Sequence, residues 1–346
     1  MIADKSVPLK KLFRWTIHHI IWLLLVMGLM SAVYHFKLID NNLKLPWLPV
    51  SVIGTAVAFY VGFKNNQAYD RKWEARKIWG GIVNESRTYG MLIDGYVTNQ
   101  FRDVEMNPAD IYEIKKRIIY RHIAWLYTHR SQLLTPAPWE HISQSGMVAK
   151  LAEKYRTDFG IGLVTGEDER SDIRNFLSDE EFSRLIKHKN TATQIINEQS
   201  RELTKLRKED LIDDFRHTQL TDVLRSLYTL QGRNERIKNF PFPRQYASMS
   251  RIFTGIFISL LPFSMIPAIQ ELGDWGVWLA APVTALIGWV YVMMEVVGDY
   301  SENPFQGMAN DIPMMNLSRT IEIDLREMLG ETDLPPAIKA KDGILM

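Results

Sequence analysis

His18 and His19, His122 and His129, and Glu295 are the side chains whose type and placement could do chemistry in this chain. Adjacent histidines in an apolar run could ligate a haem or sense protons. No equivalent pair stands on another apolar run to complete an axial set, and insertion of the segment into a membrane accounts for them as well. His122 and His129 are seven residues apart, two helical turns, so one metal joins both only with help from elsewhere. Glu295 sits near the end of an uncharged run, where a carboxylate is costly unless paired or reached by water. It could bind an ion or sense protons; the structural alternative is a partnership with a nearby base such as Arg251. The patterns His-Glu-x-x-His, Gly-x-Ser-x-Gly and the P-loop are absent, and without cysteine there is no disulfide, zinc ribbon or thiol catalysis.

The elements that must position these residues follow from the distribution of charge. Overall the 346 residues are 46% hydrophobic and 23% charged, which looks globular. That average hides two populations. Charge-free runs occupy Trp15 to Phe36, Leu45 to Phe63, Ile252 to Gln270 and Trp275 to Met294. Each is roughly 20 residues long, enough for a helix of about 30 Å, the thickness of a bilayer's hydrocarbon core. Four transmembrane helices are expected. A signal peptide is the rival reading of the first run, since Lys10, Lys11 and Arg14 precede its apolar core, but no clear small-x-small cleavage site follows. The net charge of +1, with bases dispersed among acids, argues against nucleic acid as a partner.

Basic residues also set the expected orientation. Lys10, Lys11 and Arg14 precede the first span; Lys64, Arg71, Lys72, Arg76 and Lys77 follow the second; Arg233, Arg236, Lys238, Arg244 and Arg251 precede the third. The links between spans one and two, and three and four, hold few or none. By the positive-inside rule both termini and the long middle segment are cytoplasmic. In that segment apolar residues recur at three- and four-residue steps around Ile111 to Arg130 and again over Leu211 to Leu230, which predicts helices. Pro136, Pro138 and the stretch Phe159 to Asp172 read as loops. The expectation is an all-α membrane protein. Residues 1–64 form the N-terminal segment and two spans, 65–240 a helical cytoplasmic region, 241–297 the other two spans and 298–346 a cytoplasmic tail.

The second run, "SVIGTAVAFYVGF", carries a further signal. On a helix Ser51, Thr55, Phe59 and Phe63 form one stripe, and Gly54, Ala58 and Gly62 a neighbouring stripe of small residues that allows close helix approach in lipid. The aromatic stripe either faces lipid beside an ordinary helix contact or faces an axis shared by several copies. On an axis it would form an apolar constriction, across which ions lose hydration without a polar substitute.

Three segments resemble the bestrophin family. "GFKNNQAYDRKWEARKIWGGIVNESR", Gly62 to Arg87, is similar to its signature, in which a pore helix leads into an Arg-x-Trp-containing cytoplasmic helix. "ENPFQGMANDIPM", Glu302 to Met314, resembles the Asn-Pro-Phe segment after the last span, and "NERIKNFPFPRQY", Asn234 to Tyr246, the approach to the third span in prokaryotic members. The resemblance implies a homopentameric ion channel with one central pore. Aligned on Arg71 and Trp73, it carries an upper constriction, the neck, onto Thr55, Phe59 and Phe63, and a lower one, the aperture, onto Ile237. Family members place a bulky apolar residue where this chain has Thr55. Animal members build a calcium clasp after Asn-Pro-Phe; here Gln306, Gly307, Met308 and Ala309 leave only Asn310 and Asp311, too few oxygen ligands for that ion. Those two residues are expected instead to cap a helix beginning near Pro313.

These readings give a channel rather than an enzyme, without cofactor or resident metal, in the bacterial inner membrane. Its partners would be copies of itself, the bilayer and monovalent ions, with anions such as chloride favoured over cations. Aromatic edges attract anions and faces attract cations, so ring orientation at Phe59 and Phe63 matters. No span carries the regularly spaced arginines of a voltage sensor. A histidine-dependent membrane redox protein and a non-conducting scaffold are the rivals from other classes.

Overall fold

The computed structural model describes residues 1–3, 9–38, 44–158 and 173–346. The loop expected over Phe159 to Asp172 lies outside the described residues. Ten α-helices are described: α1 Leu9–His35, α2 Trp47–Tyr96, α3 Pro108–Leu134, α4 Met147–Asp158, α5 Asp179–Leu185, α6 Thr191–Lys208, α7 Asp214–Asn239, α8 Arg244–Gln270, α9 Gly276–Asp299 and α10 Met314–Met328. Only isolated bridges, Ile2 with Ile344 and Lys341 with Ile344, represent β-structure among the described residues. The four expected spans fall in α1, α2, α8 and α9, each long and apolar enough to cross a membrane. The chain divides into two compact units, one of residues 4–72 and 241–303, the other of 1–3, 73–240 and 304–346.

In the first unit α1, the upper part of α2, α8 and α9 pack through small residues. Ala280, Ala281, Thr284, Ala285 and Gly288 are all buried on α9, and a Cβ at Gly288 would lie 3.2 Å from Leu23 of α1. Such residues bring helices close enough for dispersion to act where water is absent. On α2, Val50, Val57 and Val61 pack against Phe257 and Leu261 of α8. Gly54 lies against Phe257, whose ring a Cβ would meet at 2.7 Å. The small-residue stripe therefore splits, because Gly62 has nothing within 4 Å. Pro262 and Pro267 in α8 and Pro282 in α9 lie inside helices, a pattern tolerated where neighbouring helices re-satisfy the freed carbonyls.

The second unit is a helical assembly whose core includes Trp79, Ile82, Ile118, Trp125, Leu203, Leu227, Ile321 and Leu325. Its helices start on local signals. Asn107 accepts from the Ala109 amide with Pro108 at the first turn, Ser178 accepts from Glu181, and Asp213 accepts from Arg216 at 2.8 Å. Helix α3 ends at Leu134, just ahead of Pro136. Trp47–Tyr96 is one continuous helix of 50 residues, about 75 Å long at about 1.5 Å per residue. The signature's pore helix and its cytoplasmic helix are thus consecutive parts of one helix.

Candidate functional site

Helix α2 has a buried side and an exposed side that keep their register. Val57, Val61, Lys64 and Ala68 are buried, while Val52, Thr55, Phe59, Phe63, Asn66 and Asp70 are exposed on the opposite face. Phe59 is 69% exposed and Phe63 57%. Their rings lie 4.6 Å apart with planes at 89°, so they cannot both turn a face toward the same axis. Thr55 donates its hydroxyl back to the Ser51 carbonyl at 2.9 Å, and Ser51 donates to Leu48 at 2.8 Å. With its proton committed to the helix, Thr55 can offer its methyl group beside the rings.

The buried side is pinned by polar contacts. Lys64, directly after Phe63, donates to Glu295 of α9 at 2.5 Å, and Ser250 of α8 donates to the other oxygen of the same carboxylate. Arg251, the base expected beside Glu295, lies 3.6 Å from Asp299 instead. Glu295 thus has a structural partner, but it comes from α2. Asn65 donates to the Met294 carbonyl at 2.9 Å and Tyr291 to that of Gly54 at 3.1 Å. A buried pair of this kind is tolerated only when each charge has its partner, and removing one leaves the other stranded. These contacts fix which way α2 is rotated.

The three sequence segments meet at Glu302. Arg71 of the first donates to the Glu302 carbonyl at 3.0 Å, and Arg244 of the third lies 3.1 Å from its carboxylate. Glu302 is almost fully buried, and burial, helped by Asp299 and opposed by Arg244, raises its pKa. In the other unit, Asp311 does not cap the helix near Pro313; no side chain caps α10. Its carboxylate accepts from the amides of Phe305 at 3.0 Å and of Gly307 and Ile312 at 2.8 Å. The reason is the turn itself, where Phe305 has φ +70° and Gly307 φ +83°. A left-handed phenylalanine is strained, and the three amides gathered on one carboxylate hold it there.

Ile237 lies in the last turn of α7 and is 8% exposed within one chain. Its neighbour Lys238 is buried against Glu140, each desolvated so that burial raises the carboxylate's pKa and lowers the amine's. His141, next to Glu140, bonds Gln306 through Nδ1 at 2.8 Å. His122 and His129 are also buried, with the Trp125 ring stacked between them at 5.2 and 5.6 Å. A metal cannot join two imidazoles separated by an indole, and burial pushes both down to about 3, keeping them neutral. His18 and His19 are sequence neighbours on α1 with ring centroids 3.9 Å apart.

Fold and site together describe a helical membrane protein whose second span turns an aromatic stripe outward from its own bundle. The sequence profile described as "Bacterial/Fungal Bestrophin protein" matches residues 9–327. The chain belongs to the bestrophin family, in its bacterial and fungal branch. Among curated relatives, a protein of Mesorhizobium japonicum named voltage-dependent anion channel-forming protein mll4386 is 25% identical over 83% of this chain and 76% of its own. One of Ralstonia nicotianae, voltage-dependent anion channel-forming protein RSc3414, is 23% identical over 94% and 91%. The crystal structure of a bacterial bestrophin homolog from Klebsiella pneumoniae superposes with TM-score 0.70 at 22% identity, covering 90% of this chain and 99% of that one. Membership in this family sets the chain among ion channels and outside the enzymes.

Proposed function

We propose that five copies of this chain form an ion channel in the bacterial inner membrane, with both termini cytoplasmic, and that it conducts monovalent anions such as chloride. Thr55, Phe59 and Phe63 form the neck, and Ile237 contributes to an aperture nearer the cytoplasm. The observation that carries this is the composition of the exposed face of α2. Asn66 and Asp70 continue that face directly beyond the rings, and lipid offers such polar groups no hydrogen bonds. An axis shared by several copies, wet on either side of a dry ring, suits that mixture. The anion-channel names of the relatives support the choice of ion. Ile237 presents only an edge within one chain, so its share of the aperture is smaller than the share of the rings in the neck.

The test is purified protein in planar bilayers under a salt gradient. Reversal toward the chloride potential supports the reading, and absence of current under any salt or voltage favours a non-conducting scaffold. Phe59→Ala removes five rings from the axis and raises conductance or open probability. Unchanged current from an intact assembly takes Phe59 out of the neck. Cation conduction by the same fold is the second reading, favoured by one residue, Asp70.

A further inference from the structure

Below the phenylalanine rings the exposed stripe of α2 continues through Asn66 to Asp70, both exposed. Seven residues separate Phe63 from Asp70, so its carboxylate lies about 10 Å farther along the helix and within about 20° of the same face. Asp70 makes no ion pair with any described residue of its own chain. Two of the nearby bases are occupied elsewhere, and Lys72 and Arg76 project from the helix about 160° and about 120° away from it. Lys64 is on the buried side with Glu295, and Arg71 donates to the Glu302 carbonyl. Lys77, the next charge down the stripe, is paired with Glu74 at 2.8 Å. The first uncompensated charge under the rings is therefore negative.

We infer that Asp70 is a selectivity-determining residue: around the proposed axis its carboxylates form a negative collar at the cytoplasmic mouth of the neck, which repels anions and concentrates cations. This inference rests on the neck proposed above. A separation of about 10 Å is one Debye length at 0.1 M salt, so the collar is felt at the rings under ordinary ionic strength and fades in concentrated salt. The dry rings supply a barrier to every ion, with ring edges favouring anions, and the collar acts against that preference. Anion preference in this channel is accordingly weaker than the rings alone would give, and it depends on salt.

The experiment measures the chloride-to-sodium permeability ratio of the full-length protein in planar bilayers, for the wild type, Asp70→Asn, Asp70→Glu and Phe59→Ala. Asp70→Asn raises the ratio about fivefold at 0.1 M salt and much less at 1 M, whereas Asp70→Glu leaves it as it was. An unchanged ratio in Asp70→Asn, with conductance still raised by Phe59→Ala, overturns the collar and leaves the neck standing. Failure of both substitutions to change the current overturns both. Because the chain has no cysteine, Asp70→Cys supplies a second measurement on assembled channels. A cationic methanethiosulfonate reagent must raise the ratio and an anionic one lower it; equal responses to the two reagents sink the inference even if Asp70→Asn assembles poorly.

Discussion

Two exposed faces in the membrane unit have different chemistry. On α1 the outward residues include Ile17, Ile21, Leu24, Leu25 and Leu29, and on α9 they include Leu279, Leu286 and Val290, aliphatic side chains suited to lipid tails. On α2 the outward residues include Val52, Thr55, Ala56, Phe59, Gly62, Phe63, Asn66 and Asp70, a mixture of rings with small and polar groups. Both faces lack neighbours within one chain, yet only the first is what a bilayer selects. Exposure in a single subunit therefore does not distinguish a lipid-facing surface from a water- or partner-facing one; composition does.

The largest effect expected from breaking this arrangement lies on the back of α2. Lys64→Met strands Glu295 and lowers stability by about 3–5 kcal/mol, read as a fall in thermal midpoint in detergent. Adding Glu295→Met recovers most of the loss, and a double variant no better than Lys64→Met would show that the pair does not set the register. The comparison of faces is tested next. Leu25→Arg costs about 2.5–3.5 kcal/mol at bilayer depth and depletes the membrane-inserted protein, while Phe59→Arg, facing the wet axis of the proposed channel, is tolerated far better. Equal losses at the two positions would erase the distinction.

Acid sharpens a third contrast, along the buried side of α2. The upper part is held by the charged Lys64–Glu295 pair, while the lower part carries Trp79 and Ser86, which meet neutral His129 and His122. The folded histidines stay neutral down to about 3 whereas unfolded ones take up protons near 6.5. The unfolded chain then binds more protons between these values, so stability falls as the pH drops through that window. Each histidine costs up to about 1.4 kcal/mol per pH unit below 6.5. Urea titrations at pH 7 and pH 5 would reveal it, and Asn in place of His129 should flatten part of the slope. The smallest effect is at the proposed aperture, where Ile237→Val removes one methylene, costs about 0.5–1.5 kcal/mol, and shifts permeability ratios among anions of different size.

Much of this architecture was legible in the sequence because a bilayer dictates length: four uncharged runs had to be helices, and the spacing around Ile111 and Leu211 marked α3 and α7. The partner of Glu295 was not legible. Arg251 lies at the corresponding end of the neighbouring span, but the carboxylate is met by a lysine 231 residues away in the chain. The available signal was Lys64 itself, three positions after Val61, seven after Val57 and four before Ala68, on a side of the helix where a solvated lysine would not sit. Asp311 misled for a similar reason. An Asp just before a helix reads as a cap, and only the backbone of Phe305 reveals that its turn needs the carboxylate more. Thr55, Phe59 and Phe63 were legible as a stripe, since spacing alone defines one, whereas the direction of that stripe depends on the packing of its reverse side.

Gly62 lies beside the two rings with open space where a side chain would begin. Alanine there would favour the helix by about 1 kcal/mol, so the chain forgoes intrinsic helicity to keep a shallow notch on its outward surface. Within a lone subunit that sacrifice has no return; in the proposed assembly a ring from a neighbouring copy occupies the vacated volume.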